Sequence, residues 1–314
     1  MKSESNAGDR PLSGLRVLDL TSAYAGPFAT YVLAALGAQV IKVEHPRGGD
    51  LSRTNPPYIG RDGISLLGDD ESSVSLANIN RSRNKLSITL DLKNPDVRPV
   101  MDDLVRVSDI VVENMSSGAA DRLGFGFDWA SREKPSIVYC SISGFGAGAT
   151  GSDARSFDMV IQALSGIMEA TGPVDGSPSR VGIPIGDLAA PLFAVISILS
   201  AIRHRDMTGQ GQFVDVSMLD ALTALIAGEH FDAMSACGVD VRTGNSIARM
   251  SPFGTYRTLD RPVAICAPSN SFVERLFALM GQSELLVDDR FRTRELRVRN
   301  RKDLDEIIEA WTTT

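Results

Sequence analysis

The stretch RVLDLTSAYAGPFATYVLAALGAQVIKVE, residues 16–44, decides the fold. Its two ends, RVLDLT at 16–21 and QVIKVE at 39–44, are short aliphatic runs typical of strands that are buried on both faces. Between them Pro27 opens a helical pattern that runs to Gly37, with proline suited to a first helical turn and glycine to the residue after the last. The order strand, helix, strand predicts a βαβ unit with parallel strands.

The same alternation continues outward from this unit. LSITLDL at 86–92, DIVVE at 109–113 and SIVYCSIS at 136–143 predict further strands, and the apolar spacing over 95–107 predicts a helix between two of them. Residues 46–80 are rich in glycine, proline and serine and predict a long loop. We therefore expect an open, largely parallel sheet with flanking helices, a Rossmann-like large domain that binds ligands at the carboxyl ends of its strands.

Beyond residue 155 the pattern becomes mainly helical. The best helical segments are 159–168, 188–203 and 218–236, and FGTY and VAIC within 253–268 predict a hairpin. This change predicts an α/β protein with a second, smaller α+β domain. The expected boundaries are a large domain at 1–205, a linker at 206–224 and a small domain at 225–314.

Composition narrows the function classes. The chain has 314 residues, of which 43% are hydrophobic and 23% are charged, so it can form a globular core. Its formal net charge of −7 argues against a dedicated nucleic-acid surface but permits a local basic pocket for a phosphorylated ligand. We expect small-molecule chemistry.

Cysteine, histidine and apolar patterns point to a protein of the reducing cytoplasm. The three cysteines are widely spaced and the three histidines scattered, so neither a disulfide framework nor a metal site is predicted. The N-terminus lacks the apolar core of a secretory signal. The longest apolar run, 188–202, contains Pro191 and is shorter than the about 20 residues of a membrane span, which predicts a buried helix.

One glycine pattern, Gly146, Gly148 and Gly151, matches the dinucleotide-binding spacing GxGxxG. It does not lie in the first βα turn, and no strand ending in an acidic residue follows about 20 residues on. We interpret it as a loop over a site rather than a phosphate cradle.

Longer segments carry a resemblance to a known family. Beginning with PLSGLRVLDLTSAYAGPFATYVLAALGAQVIKVEHPRGGD, the chain resembles the class III CoA-transferases, a family that includes formyl-CoA transferase, carnitine CoA-transferase and the α-methylacyl-CoA racemases. The likeness continues in the family's order through NRSRNKLSITLDLKNP, DIVVENMSSGAADRLGFGFD, SISGFGAGATGSDARSFDMVIQALSGIMEATG, PIGDLAAPLFAVISILSAI, GQGQFVDVSMLDA and SPFGTYRTLD. It implies an interlocked homodimer that acts on acyl-CoA and a small carboxylic acid, with CoA as substrate rather than as a tightly bound cofactor.

The resemblance assigns the catalytic residues to two aspartates. Asp187 follows Gly186 ahead of an apolar helix, where the family has its nucleophile, and a carboxylate can attack a thioester and accept CoA. A predicted helix N-terminus would help to keep Asp187 ionised. Asp158 is expected beside it, in an orienting or proton-handling role. Without the resemblance, Asp187 would be interpreted as a plain helix N-cap.

The resemblance also implies a set of residues that contact CoA. Arg122 has a reason of its own, because a guanidinium can pair bidentately with a phosphate. The expected CoA contacts are Ser22, Tyr24, Ala25, His45, Leu90, Asn114, Met115, Ala119, Arg122 and Arg155.

Two other functions stay open. The first is an acyl-CoA racemase, but racemases have histidine where Phe157 precedes Asp158, and their later glutamate aligns near Ser269. The second is a non-catalytic CoA-binding protein, because the family's C-terminal return segment is expected to be absent. In the first loop Ser22 and Tyr24 differ from the residues of formyl-CoA transferase, so the resemblance does not fix the acyl donor or acceptor.

Overall fold

A computed structural model describes residues 10–68, 72–148 and 156–314. The chain divides into two compact units. The first comprises the described residues up to 165 together with 181–227, and the second comprises 166–180 and 228–314.

Eleven strands lie in the described residues. In chain order they are β1 (Arg16–Asp19), β2 (Gln39–Glu44), β3 (Tyr58–Gly60), β4 (Gly63–Ser65), β5 (Val74–Ser75), β6 (Lys85–Thr89), β7 (Ile110–Glu113), β8 (Val138–Ser143), β9 (Phe213–Ser217), β10 (Phe253–Tyr256) and β11 (Val263–Cys266).

Thirteen α-helices accompany them in the same part of the chain, with short 3₁₀ turns at Leu51–Thr54, Pro95–Val97 and Ser283–Leu286. In chain order the helices are α1 (Ala25–Ala35), α2 (Leu76–Ser82), α3 (Arg98–Arg106), α4 (Ala119–Arg122), α5 (Phe127–Glu133), α6 (Asp158–Ser165), α7 (Ile167–Ala170), α8 (Ile185–Thr208), α9 (Met218–Ile226), α10 (Phe231–Ala236), α11 (Asn270–Leu279), α12 (Arg294–Arg299) and α13 (Arg301–Thr312).

A six-stranded sheet in the order β6-β2-β1-β7-β8-β9 forms the centre of the first unit. Every neighbouring pair in it is parallel, which confirms the predicted open parallel sheet. From β1 the chain winds first towards β2 and β6, and then returns to the other side through β7, β8 and β9. The carboxyl ends of β1 and β7 therefore flank a topological switch point, the usual ligand crevice of such sheets.

Two parts of this unit differ from the sequence-based expectation. The predicted loop at 46–80 contains the small antiparallel sheet β4-β3-β5 and most of helix α2. The predicted linker at 206–224 contains the end of α8, all of β9 and most of α9. Because β9 pairs in register with β8 from Phe213 to Ser217, that segment is an edge of the central sheet.

Helix α8 has 24 residues and includes Pro191. It is the one helix within the described residues that is long and apolar enough to cross a membrane, and half of its most apolar window is buried inside the protein. Its buried residues include Ala190, Ala194 and Ile198, and the helix packs on α1, α6 and α9. This is the packing of a core helix, as predicted for 188–202.

The second unit has a core of its own. Val273 and Phe277 of α11 and Leu304 and Ile308 of α13 are fully buried against Tyr256 of β10. The predicted hairpin is confirmed, since β10 and β11 pair antiparallel from Phe253 with Cys266 to Tyr256 with Val263. The predicted helix over 218–236 is interrupted between Ile226 and Phe231, at a break that contains Gly228.

Candidate active site

A cleft of about 630 Å³ opens at the switch point of the first unit. This volume lies within the usual range for small-molecule sites. Eight predicted site residues, which come from five separate segments of the chain, line it: Ser22, Tyr24, Ala25, His45, Asn114, Met115, Asp158 and Asp187.

Three other predicted contacts do not line the cleft. Leu90 packs against a cluster of buried core residues that includes Leu20 and Val43, and Ala119 and Arg122 belong to the short helix α4. The side chain of Arg122 is exposed, and its Nη1 donates to the carbonyl of Ser117, which lines the cleft. Arg155 lies outside the described residues.

The two aspartates meet at the N-terminus of α8. The backbone N–H of Gly186 donates to Asp158 Oδ1 at 2.8 Å, and the N–H of Asp187 reaches the same oxygen at 3.4 Å. A Cβ on residue 186 would lie 3.1 Å from that oxygen, a tighter approach than most such contacts, which favours glycine before Asp187. The other oxygen, Oδ2 of Asp158, accepts from Gln162 Nε2 at 2.7 Å. Asp158 is thus the capping carboxylate of α8 and fixes the backbone that carries Asp187.

The electrostatic setting of Asp187 differs from the sequence-based expectation. Burial raises the pKa of Asp187 to about 6, the negative charge of Asp158 adds to that rise, and Arg81 opposes it. The helix N-terminus does not dominate, because its first N–H groups already serve Asp158. A carboxyl group with a pKa near the operating pH is more basic than an ordinary aspartate, and such shifts cluster at functional sites.

The loop Ser22–Tyr24 after β1 is held from several sides. Asn114 Oδ1 accepts from the N–H of Ser22 at 2.8 Å, and its Nδ2 donates to the carbonyl of Ser22 at 2.9 Å. Ala23 has a φ of 69°, in the left-handed region that an alanine rarely adopts. Its N–H reaches Asp50 Oδ1 at 3.3 Å. Asn114 therefore fixes this loop and also lines the cleft, and its predicted contact with the nucleotide stays a prediction.

A charged network that the sequence analysis missed lies beneath the loop. Lys42 Nζ is 2.8 Å from Asp50 Oδ2 and donates to the carbonyl of Thr21 at 2.8 Å. Lys85 Nζ is 3.0 Å from Asp19 Oδ2. Burial alone would raise the pKa of Asp19, but the two lysines lower it below its usual value. The available signal was a charged residue within each of two aliphatic runs, Asp19 and Lys42, which occupy paired positions of β1 and β2.

A further ion pair lies at the other side of the cleft. Arg53 donates to both carboxylate oxygens of Glu44, at 2.6 and 2.7 Å, and this bond lowers the pKa of Glu44 to about 2. Glu44 also accepts from the N–H of Asp50 at 2.8 Å. The two carboxylates on this side of the cleft are therefore each paired with a cation, Glu44 with Arg53 and Asp50 with Lys42.

The amino-acid sequence of this chain matches a known family and characterised relatives within it. The model of the family described as CoA-transferase family III matches residues 12–314. A succinyl-CoA:mesaconate CoA-transferase of Haloarcula hispanica is 37% identical over 307 residues, covering 96% of this chain and 75% of the relative. The acetyl-CoA:oxalate CoA-transferase of Acetobacter aceti is 36% identical over 302 residues, covering 95% and 74%.

Solved structures also match this chain. A CAIB/BAIF family protein from Brucella suis has a TM-score of 0.82 and 33% identity, covering 97% of this chain and 79% of the other. Rv3272 from Mycobacterium tuberculosis has a TM-score of 0.83 and 28% identity, covering 97% and 78%.

Proposed function

Because this chain belongs to CoA-transferase family III, we propose that it moves CoA from an acyl-CoA thioester to a carboxylic acid through a covalent intermediate on Asp187. The observation that carries this proposal is the placement of Asp187. It lies in the switch-point cleft at the start of α8, and burial and Asp158 raise its pKa to about 6.

The chemistry follows from a carboxylate nucleophile. An oxygen of Asp187 bonds to the acyl carbon of the donor, the C–S bond breaks, and CoA leaves as the thiolate. The thiolate then attacks the Asp187 carbonyl of the mixed anhydride, which releases the donor acid and leaves CoA as a thioester on the enzyme. The acceptor carboxylate displaces CoA by the same two steps in reverse, so Asp187 is regenerated and no oxidant or reductant is needed.

The acceptor is proposed from the relatives and not from the cleft. Their names pair succinyl-CoA with mesaconate or glutarate, and acetyl-CoA with oxalate. All three acceptors are dicarboxylates, so we propose a small dicarboxylic acid for this chain.

The deciding experiment is a matrix of acyl-CoA donors and carboxylate acceptors in deuterated water. CoA exchange without deuterium uptake at the α-carbon supports transfer. Deuterium uptake without exchange would support the racemase alternative, which the exposed Phe157 beside Asp158 disfavours because a phenyl ring cannot carry a proton. If neither CoA exchange nor deuterium uptake is detected, the remaining function is CoA binding without catalysis.

Arg122 provides a test of the CoA site. We propose that its exposed guanidinium, beside the cleft-lining Ser117, pairs with a CoA phosphate. Arg122→Ala is then expected to weaken acyl-CoA binding by about 1.5–3 kcal/mol, the range for a hydrogen bond to a charged group. Calorimetry measures the change. The matched control is Arg132→Ala, another exposed arginine that contacts a backbone carbonyl, that of Asp128, and does not line the cleft. Equal affinities of both variants would refute the contact.

We also propose a homodimer. An apolar face on α8 supports it, since Leu192, Phe193, Ile196 and Leu199 are exposed at helical spacing. Contiguous exposed apolar surface of this kind is typical of interaction sites. Sedimentation at micromolar concentration is expected to give the mass of two chains, whereas a stable monomer would contradict the dimer.

A further inference from the structure

Arg81, near the end of α2, is a buried cation that the sequence analysis did not single out. Its side chain is only 8% exposed. The guanidinium lies over the ring of Tyr24, with Cζ 3.9 Å from the ring centroid, and Nη1 donates to the carbonyl of Ala23. Both contacts are with the loop after β1, so a charged group is buried directly against a wall of the catalytic cleft.

The charge of Arg81 has no carboxylate of its own in the described residues. No ion pair within 4.0 Å is formed by Arg81 there, although Lys42, Arg53 and Lys85 all form one. Ala23 and Tyr24, which Arg81 contacts, line the same cleft as Asp50 and Asp187, and the positive charge of Arg81 acts at longer range on these two carboxylates. Asp50 is already paired with Lys42 at 2.8 Å, which leaves Asp187 as the carboxylate that depends on Arg81.

We propose that Arg81 is a positioning residue of the transfer reaction, which holds Asp187 in its ionised, nucleophilic form and fixes the loop Ser22–Tyr24 beside it. The inference rests on the proposed role of Asp187 as the nucleophile. The two negative charges at the start of α8 oppose each other, because Asp158 accepts the N–H of Asp187 itself. A cation held rigidly by an aromatic ring and a backbone carbonyl offsets that repulsion without blocking either oxygen of Asp187.

The other charged groups around the cleft do not provide the same effect. Glu44 and Asp50 are each bonded to a cation, and the ring of His45 contacts the backbone of Arg47. Burial and Asp158 raise the pKa of Asp187, while Arg81 is the group that lowers it. Removing the positive charge must therefore raise that pKa further above about 6.

The test follows the first half of the reaction, in which acyl-CoA alone forms an adduct on Asp187. Its rate is measured by mass spectrometry of the intact protein as a function of pH. The wild-type protein is expected to lose rate below about pH 6, where Asp187 becomes protonated. In Arg81→Met this acid limb is expected to move up by roughly one pH unit, as for loss of a neighbouring opposite charge. Arg81→Lys retains the charge and should keep the limb near its wild-type position.

Asn114→Ala is the matched control, since it releases the same loop without changing any charge. It is expected to lower the rate and leave the acid limb in place. Arg81→Gln keeps a donor for the carbonyl of Ala23 and serves as the neutral variant if Arg81→Met does not fold. A wild-type adduct whose acid limb is unmoved in the neutral variants would overturn the role of Arg81. No adduct on wild-type Asp187 at any pH would instead overturn the proposed nucleophile.

Discussion

Replacement of Asp187 by asparagine is expected to abolish CoA transfer while acyl-CoA still binds. Asparagine has nearly the same shape as aspartate, but its amide cannot form an anhydride or an enzyme-bound thioester. Turnover should fall by at least about a thousandfold, the scale seen when a covalent nucleophile is removed. Steady-state kinetics measures the loss, and calorimetry with acyl-CoA measures the binding that remains.

A peptide map of the protein trapped with acyl-CoA alone distinguishes the two aspartates. Asp158 caps α8 through the N–H groups of Gly186 and Asp187, so Asp158→Asn should slow transfer by disturbing the backbone and should still carry the adduct on Asp187. An adduct on Asp158 would mean that the two roles are exchanged. Substantial transfer by Asp187→Asn would overturn the mechanism.

Asp187→Asn is also expected to raise the stability of the folded protein, so unfolding would not account for its lost activity. The pKa of Asp187 is raised in the folded protein, so its ionisation costs stability as the pH rises from about 4 to about 6. Asparagine does not titrate. Asp187→Asn should therefore be more stable than the wild type above pH 6, by up to about 3 kcal/mol, and equally stable below pH 4.

The largest loss of stability is expected from Lys42→Met. Lys42 is 1% exposed, and its ammonium group pairs with Asp50 and donates to the carbonyl of Thr21. Methionine fills the space of the lysine stem but leaves the buried carboxylate of Asp50 without its cation. Removal of one partner from a buried ion pair costs about 3–5 kcal/mol. Denaturant unfolding followed by fluorescence measures the change in the free energy of unfolding.

The double variant Lys42→Met, Asp50→Asn is the control for this explanation. It removes both charges, so it should recover part of the stability lost in Lys42→Met alone. The loss in the single variant should also shrink at acidic pH, because Asp50 is then protonated. Its pKa is lowered in the folded wild type, where burial is outweighed by Lys42, so its contribution is lost as the pH falls. Wild-type stability in Lys42→Met at neutral pH would contradict the assigned pairing.

The sequence alone determined the elements whose pattern is local. The strands at 16–19 and 39–44 and the helix between them follow from aliphatic runs with suitable flanking residues, and the hairpin of β10 and β11 follows from two short runs on either side of a turn. Asp187 and Asp158 were singled out by the family resemblance, since the local pattern by itself predicts only a helix N-cap at Asp187. These signals survive because hydrophobic periodicity and turn chemistry act between residues that are close in sequence.

Strand β9 was decided by tertiary structure. FVDVS is short and its Asp215 is polar, so the segment reads as a linker until it pairs with β8. The pairing supplies the backbone hydrogen bonds that make it a strand, including the N–H of Tyr139 to the carbonyl of Gln212. Hydrogen bonds to a partner distant in sequence leave no local pattern.

The electrostatics of the site was likewise outside the reach of the sequence. A helix N-terminus predicted an ionised Asp187, but burial and the approach of Asp158, 29 residues away along the chain, raise its pKa instead. Asn114 meets Ser22 across a separation of 92 residues, and Arg81 meets Ala23 across 58. Sequence identifies which residues can ionise or donate. Only the fold decides which charges lie together in a low-dielectric environment. The distances between these charges and their burial then determine what each group does.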